Sequence, residues 1–113
     1  MRNVLITEEC EQYIEANSKE VEKKFNYCLQ ILIEQKVVHK KLVKKLTNSK
    51  FYELRITTRN EHRIIIFSID SENFVEANKV VLLNGFMKKN IKDYKAAIKT
   101  AEKLLVKYEI EKQ

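Results

Sequence analysis

"FYELRITTRNEHRIIIFSI", residues 51–69, decides the fold. Tyr52, Leu54 and Ile56 alternate with Phe51, Glu53, Arg55 and Thr57, and this period of two marks a β-strand with one oily and one polar face. Arg59 and Asn60 can make a turn, after which "EHRIIIFSI" reads as a second, more buried strand. The polar stretch "DSENFVEAN" (70–78) then leads into "KVVLLNGF" (79–86), a third strand. Three consecutive strands joined this way make an antiparallel meander. Downstream, Asn90 with Asp93 three residues on starts a helix, and Tyr94, Ala97, Ile98, Ala101, Leu104, Leu105 and Tyr108 trace its apolar face.

Upstream, "NVLIT" (3–7) reads as a short strand, and Thr7 followed by Glu8 and Glu9 is a helix N-cap with acids in the first turn. A short helix through Cys10, Tyr13 and Ile14 follows. Asn17 with Glu20 has capping-box spacing and opens a longer helix, whose apolar face is Val21, Phe25, Cys28, Leu29, Leu32 and Ile33. The two helices are expected as an antiparallel hairpin. The helical spacing of Val38, Leu42 and Leu46 extends it in part, until Thr47-Asn48-Ser49 breaks it. The expected fold class is therefore α+β: a strand, a helical hairpin, an antiparallel three-stranded meander and a C-terminal helix. All helices are expected on one face of the sheet, with the other face partly open.

Composition limits what such a fold does. A chain of 113 residues fits one domain spanning 1–113, and its 44% hydrophobic and 34% charged content is that of a globular protein. No apolar run approaches the roughly 20 residues of a membrane span, and the N-terminus turns acidic too soon for a signal peptide, so a cytoplasmic protein with no membrane partner is expected. Cys10 and Cys28 lack metal-site spacing and sit in helical patterns, which favours reduced, packing thiols. His39 and His62 are far apart, no glycine-rich phosphate loop exists, and the nucleophile motif of serine hydrolases is missing. No metal or other cofactor is expected.

The net charge is +6, and it is regional: residues 1–18 carry one Arg against four Glu, whereas residues 19–50 carry nine Lys against three Glu. An anionic partner, most commonly nucleic acid, follows from such a balance. Lys40, Lys41, Lys44 and Lys45 form either a nucleic-acid contact or a solvated helix face. Tight connections between the strands would gather Arg55, Arg59, Arg63 and Lys88 at one end of the sheet, beside the last helix. Such a cluster suits phosphate; the alternative is that Arg55 pairs with Glu53 or Glu61, and Arg63 with Asp70, as surface ion pairs. Gly85, the one glycine in a chain without proline, marks a close-packed or bent strand end.

"FYELRITTRNEHRIIIFSID" and "KVVLLNGFMKKNIKDYKAAIKTAEKLL" resemble the RelE/ParE toxin superfamily, most closely its HigB-like, phage Gp49-like branch, through the Glu-Leu-Arg strand and the Gly-Phe-x-Lys-Lys strand end. The similarity spans about residues 50–107. It implies a type II toxin–antitoxin toxin that cleaves messenger RNA on the ribosome by metal-independent attack of the 2′-hydroxyl, with a helix-turn-helix antitoxin as partner. It further implies phosphate chemistry at Arg63 and Lys88, phosphate positioning by Arg55 and Lys89, and a hydrogen-bonding or base-stacking Tyr94. Glu53 or His62 is the candidate proton carrier, and Arg59, Lys44 and Lys45 are further RNA contacts. The sequence departs from the family pattern at His62, where an aromatic is usual, and at Asn84, where many relatives have histidine. A catalytically silent RNA- or protein-binding repressor partner and a ParE-like gyrase poison are the competing readings.

Overall fold

The structure, a computed structural model, describes residues 1–110. Five strands form one mixed sheet in the order β1-β5-β4-β3-β2, where β1 is Asn3–Ile6, β2 Val43–Lys45, β3 Phe51–Thr57, β4 Glu61–Ser68 and β5 Lys79–Met87. Strands β3, β4 and β5 are the expected antiparallel meander, while β1 runs parallel to β5, from Asn3 opposite Lys79 to Ile6 opposite Leu82. Helices α1 (Glu8–Glu15) and α2 (Lys19–Glu34) join β1 to β2, and α3 (Lys92–Lys107) follows β5. The fold class is α+β, as expected.

Both faces of the sheet are covered, not one. Leu54, Ile56, Ile64, Ile66, Val80 and Leu82 pack against Cys10, Ile14, Val21, Phe25, Cys28 and Leu32 of α1 and α2. Phe51, Ile65, Phe67, Val81 and Leu83 pack against Ala97, Ala101, Leu104 and Leu105 of α3. The reason is visible in β4, which is buried at every position after Glu61, so its alternate residues need apolar cover on each side.

Side-chain caps open the first two helices. Thr7 Oγ1 accepts from the Cys10 N–H and itself donates to the Leu83 carbonyl, so one hydroxyl caps α1 and fastens it to β5. The cap of α2 is Ser18, whose Oγ accepts from Val21 N–H, one residue later than the Asn17 spacing suggested. The N-cap position of α3 is Ile91, which makes no side-chain cap hydrogen bond, one residue after the expected Asn90; Asn90 Oδ1 accepts from Lys92 N–H and the Asp93 carboxylate accepts from the N–H groups of Lys89 and Asn90. Asn48 takes a positive φ of 55° in the turn between β2 and β3, a conformation asparagine tolerates.

The expected helical extension past residue 36 is not formed. Helix α2 stops at Glu34, and Val43–Lys45 instead pair with Tyr52–Leu54 on the free side of β3. Helical spacing lost to the open strand edge, which supplies backbone partners that an exposed lysine-rich helix turn cannot match. Arg2, buried among these connections, donates from its guanidinium to the carbonyls of Leu32, Gln35, Lys36, Phe74 and Ala77 at 2.7–3.3 Å.

One irregularity shapes the working end of the sheet. Ile64 lies opposite Gly85 but Ile66 lies opposite Leu82, so two residues of β5, Leu83 and Asn84, face the single Ile65. This bulge shifts the alternation of β5 by one: Val81, Leu83 and then Phe86 serve the α3 side, and Gly85 falls under α1. Gly85 has an ordinary φ, so its need for glycine is steric. A β-carbon there would sit 2.6 Å from Tyr13 Cγ and 2.9 Å from Ile64 Cδ1. Gly85→Ala is therefore expected to destabilise the fold by about 1–3 kcal/mol in chemical denaturation. Tyr13→Leu in the same chain should recover part of that loss, whereas simple additivity of the two changes would show that Tyr13 is not what the methyl meets.

Candidate nucleic-acid site

Period-two alternation puts Glu53 and Arg55 of β3 on the α3 side of the sheet, and the β3–β4 register places Arg63 directly across from Arg55. Phe86 is the next partner of Arg63 on β5, and Tyr94 arrives from the first turn of α3. Two arginines side by side on a sheet repel, and Glu53 settles them. Its Oε1 lies 3.0 Å from Arg63 Nε as an ion pair and accepts from the Tyr94 hydroxyl at 2.6 Å, while its Oε2 lies 3.6 Å from Arg55 Nη2.

Arg63 is held on every side. Its Nε also reaches the Tyr94 oxygen at 3.1 Å, Nη1 donates to the His62 carbonyl at 3.0 Å, and Nη2 donates to Glu61 Oε1 at 3.2 Å. Arg63 and Glu53 are only 4% and 3% exposed, so both charges are internal and mutually dependent. Burial works against the Arg63 charge, but the Tyr94 oxygen, Glu61 and Glu53 outweigh it and raise its pKa. Burial and the Glu53 carboxylate raise that of Tyr94, which therefore stays protonated and donates.

The outer members are less constrained. The Arg55 side chain is 30% exposed, and its Nε is buried without a hydrogen-bond partner. Lys88 is fixed by its backbone, whose N–H donates to the Glu61 carbonyl at 2.8 Å, and its ammonium lies 5.9 Å from the Tyr94 ring centre. Phe86 meets Tyr94 edge to face with centroids 5.2 Å apart, which sets the ring under that ammonium. Lys44 is directly opposite Glu53 on β2, and so shares this face from the sheet edge.

The structure thus brings together Glu53, Arg55, Arg63, Lys88 and Tyr94, with Lys44 beside them. It separates His62, Lys45, Arg59 and Lys89 from that group. His62 neighbours Arg63 in sequence and therefore points to the opposite face, where it is 2% exposed and its Nδ1 meets the Tyr13 hydroxyl at 2.6 Å. Lys45 turns toward the Tyr52 ring, Arg59 is exposed in the β3–β4 turn, and Lys89 is exposed before α3. The surface pairing of Arg63 with Asp70 does not occur. Asp70 instead accepts from the N–H groups of Asn78 and Lys79, and Arg63 pairs with Glu53 and Glu61. Glu61 was readable as a partner only through the three-residue turn at 58–60, which fixes the register.

Among the described residues no group of three His, Cys, Asp or Glu side chains converges as metal ligands do, and no helix is long and apolar enough to cross a membrane. Cys10 and Cys28 are free and buried, and burial pushes their thiols up to about 12 and about 11.

Two outcomes are expected. Glu53→Ala leaves Arg63 charged and buried, and should cost about 3–5 kcal/mol in chemical denaturation; Glu53→Leu with Arg63→Met should recover most of that. Burial, followed by the nearby Arg63 charge, lowers the His62 pKa below its ordinary 6.5. Its contribution to stability is therefore complete above that value and lost as pH falls through the lower folded one. Melting temperature followed from pH 7.5 down to 5 should decline through a step that His62→Phe removes; an unchanged step would assign the titration to another group.

A protein-family model described as "Phage derived protein Gp49-like (DUF891)" matches residues 12–106, and the chain belongs to that family, which is RelE-like and toxin-like. No curated protein matches the sequence.

Proposed function

We propose that this Gp49-like chain is the toxin of a type II toxin–antitoxin pair, an HigB-like endonuclease that cuts messenger RNA in the ribosomal decoding site. The observation that carries this reading is the single carboxylate of Glu53 between two arginines, which leaves Arg55 and Lys88 accessible at one end of the sheet. Two cations, one of them against the fixed Tyr94 ring, suit a phosphodiester next to a base.

In the reaction, the ribose 2′-oxygen attacks the adjacent phosphorus and the bond to the 5′-oxygen breaks, giving a 2′,3′-cyclic phosphate and a 5′-hydroxyl. Charge that builds on the non-bridging oxygens is met by Arg55 and Lys88. Arg55 contacts Glu53 loosely, at 3.6 Å, and turning to the phosphate frees Glu53 Oε2 to take the 2′-hydroxyl proton. The Lys88 ammonium gives a proton to the departing 5′-oxygen. Arg63 acts as a positioning residue, because its charge is paired with Glu53 and its donors serve Tyr94, Glu61 and the His62 carbonyl. The ribosome supplies the remaining alignment of the message, and a helix-turn-helix antitoxin, in a prophage-derived cytoplasmic pair, restrains the activity.

A second reading draws on the same network. With Glu53 and Arg63 both closed to solvent, a member that binds RNA or protein without cutting, and acts as a repressor partner, is its catalytically silent form. Expression of the wild type, Arg55→Ala and Lys88→Ala without antitoxin separates the two. The endonuclease should arrest growth and leave cyclic-phosphate ends only in translated messages, and each substitution should lower cleavage by about 10²–10³-fold. Wild-type expression with neither arrest nor cut messages removes the enzyme reading.

A further inference from the structure

We infer that the RNA path continues from Arg55 around the open edge of β3 to Tyr27 of helix α2 and Lys41 of the segment before β2, which form a second subsite for the flanking single strand. This rests on the RNA reading of the site above, and extends it to residues outside the sheet face. Strand β2 pairs only with Tyr52–Leu54, and the Arg55 N–H to Leu42 carbonyl bond at 2.8 Å ends that contact. Beyond it, Ile56 and Thr57 have no strand neighbour on that side. A groove of about 410 Å³ opens here, lined by Lys24, Tyr27, Lys41, Arg55, Glu61 and Arg63 among others. Four cationic side chains thus face one carboxylate, and Glu61 is already bonded to Arg63 and to the Thr57 hydroxyl.

Two further observations point to a ligand. The buried Nε of Arg55, on the wall of this groove, has no hydrogen-bond partner, a costly state for a guanidinium N–H. Tyr27 is 70% exposed on α2, three residues after Lys24 and so on the same side of the helix. Lys24 in turn is drawn to the groove, since its ammonium donates to the Thr57 carbonyl at 2.5 Å. An exposed aromatic ring above a line of cations is the arrangement that takes a single strand, with a base on the ring and phosphates on the cations. Tyr27 contributes nothing to the core face of α2, which is built from Val21, Phe25, Cys28 and Leu32. Its size and exposure are accounted for by a stacked base.

The test is binding of two labelled single-stranded RNAs to the full chain at several salt concentrations. One is a trinucleotide that fills only the Arg55–Lys88 site, and the other, of about twelve nucleotides, spans both sites. Tyr27→Ala should weaken the longer RNA by about tenfold and leave the trinucleotide unchanged, with Tyr27→Trp restoring affinity. Lys41→Ala should reduce the salt slope for the longer RNA by about 0.7. If both alanine variants bind the longer RNA as the wild type does while Lys88→Ala weakens both RNAs, the subsite is wrong and the RNA site stands. If the wild type binds neither RNA at low salt, the RNA site and its extension fall together.

Discussion

The ion pair between Glu53 and Arg63 organises the working end of this protein. Removing two charges from water is expensive, and the expense is offset only when the remaining donors and acceptors are matched. Tyr94, Glu61 and the His62 carbonyl complete that match around Arg63. Through Tyr94 the start of α3 is tied to β3 and β4, and through Glu61 the first residue of β4 is tied to its own neighbour on the sheet. The pair thus locates a helix against a sheet to within a hydrogen bond. An apolar trio would hold those elements together with less directional control.

That arrangement also divides labour among like-charged side chains. Arg63 is internal, shared and immobile, whereas Arg55 touches the same carboxylate at a longer distance and keeps an unpartnered Nε. Lys88 is fixed by its backbone and by an aromatic ring, with its ammonium left outside. A buried arginine that holds a carboxylate, and a looser one that can leave it, differ in function although the sequence presents both as a strand arginine.

Much of the fold was legible because local patterns and tertiary packing agree. The meander follows from alternation through residues 51–69, and the Thr7 cap from one hydroxyl before two acids. The lysine-rich stretch after α2 was misleading because helical spacing at Val38, Leu42 and Leu46 competes with an unpaired strand edge, and the edge lies in a distant part of the chain. Arg2 gave no signal at all, since its partners are backbone carbonyls that any sequence possesses. In the site, topology gathered Arg55, Arg63 and Lys88 but also Arg59, which stays exposed in the β3–β4 turn, and Tyr94 came from the family resemblance; the sides of His62 and Lys45 depend on register, which a single sequence states only weakly.

The extra residue at Leu83 and Asn84 has a wider consequence. It works as a phase shifter, separating the half of β5 that fills the core from the half that carries Phe86 and leads into Lys88. Either half can then drift in sequence without rotating the other. Pairing β5 straight through, with no extra residue at that point, would keep the strand, its length and its composition intact, yet it would carry Phe86 and Lys88 through the sheet to the side of Tyr13. In this chain the position of a cation is encoded by a count of residues as much as by their identity.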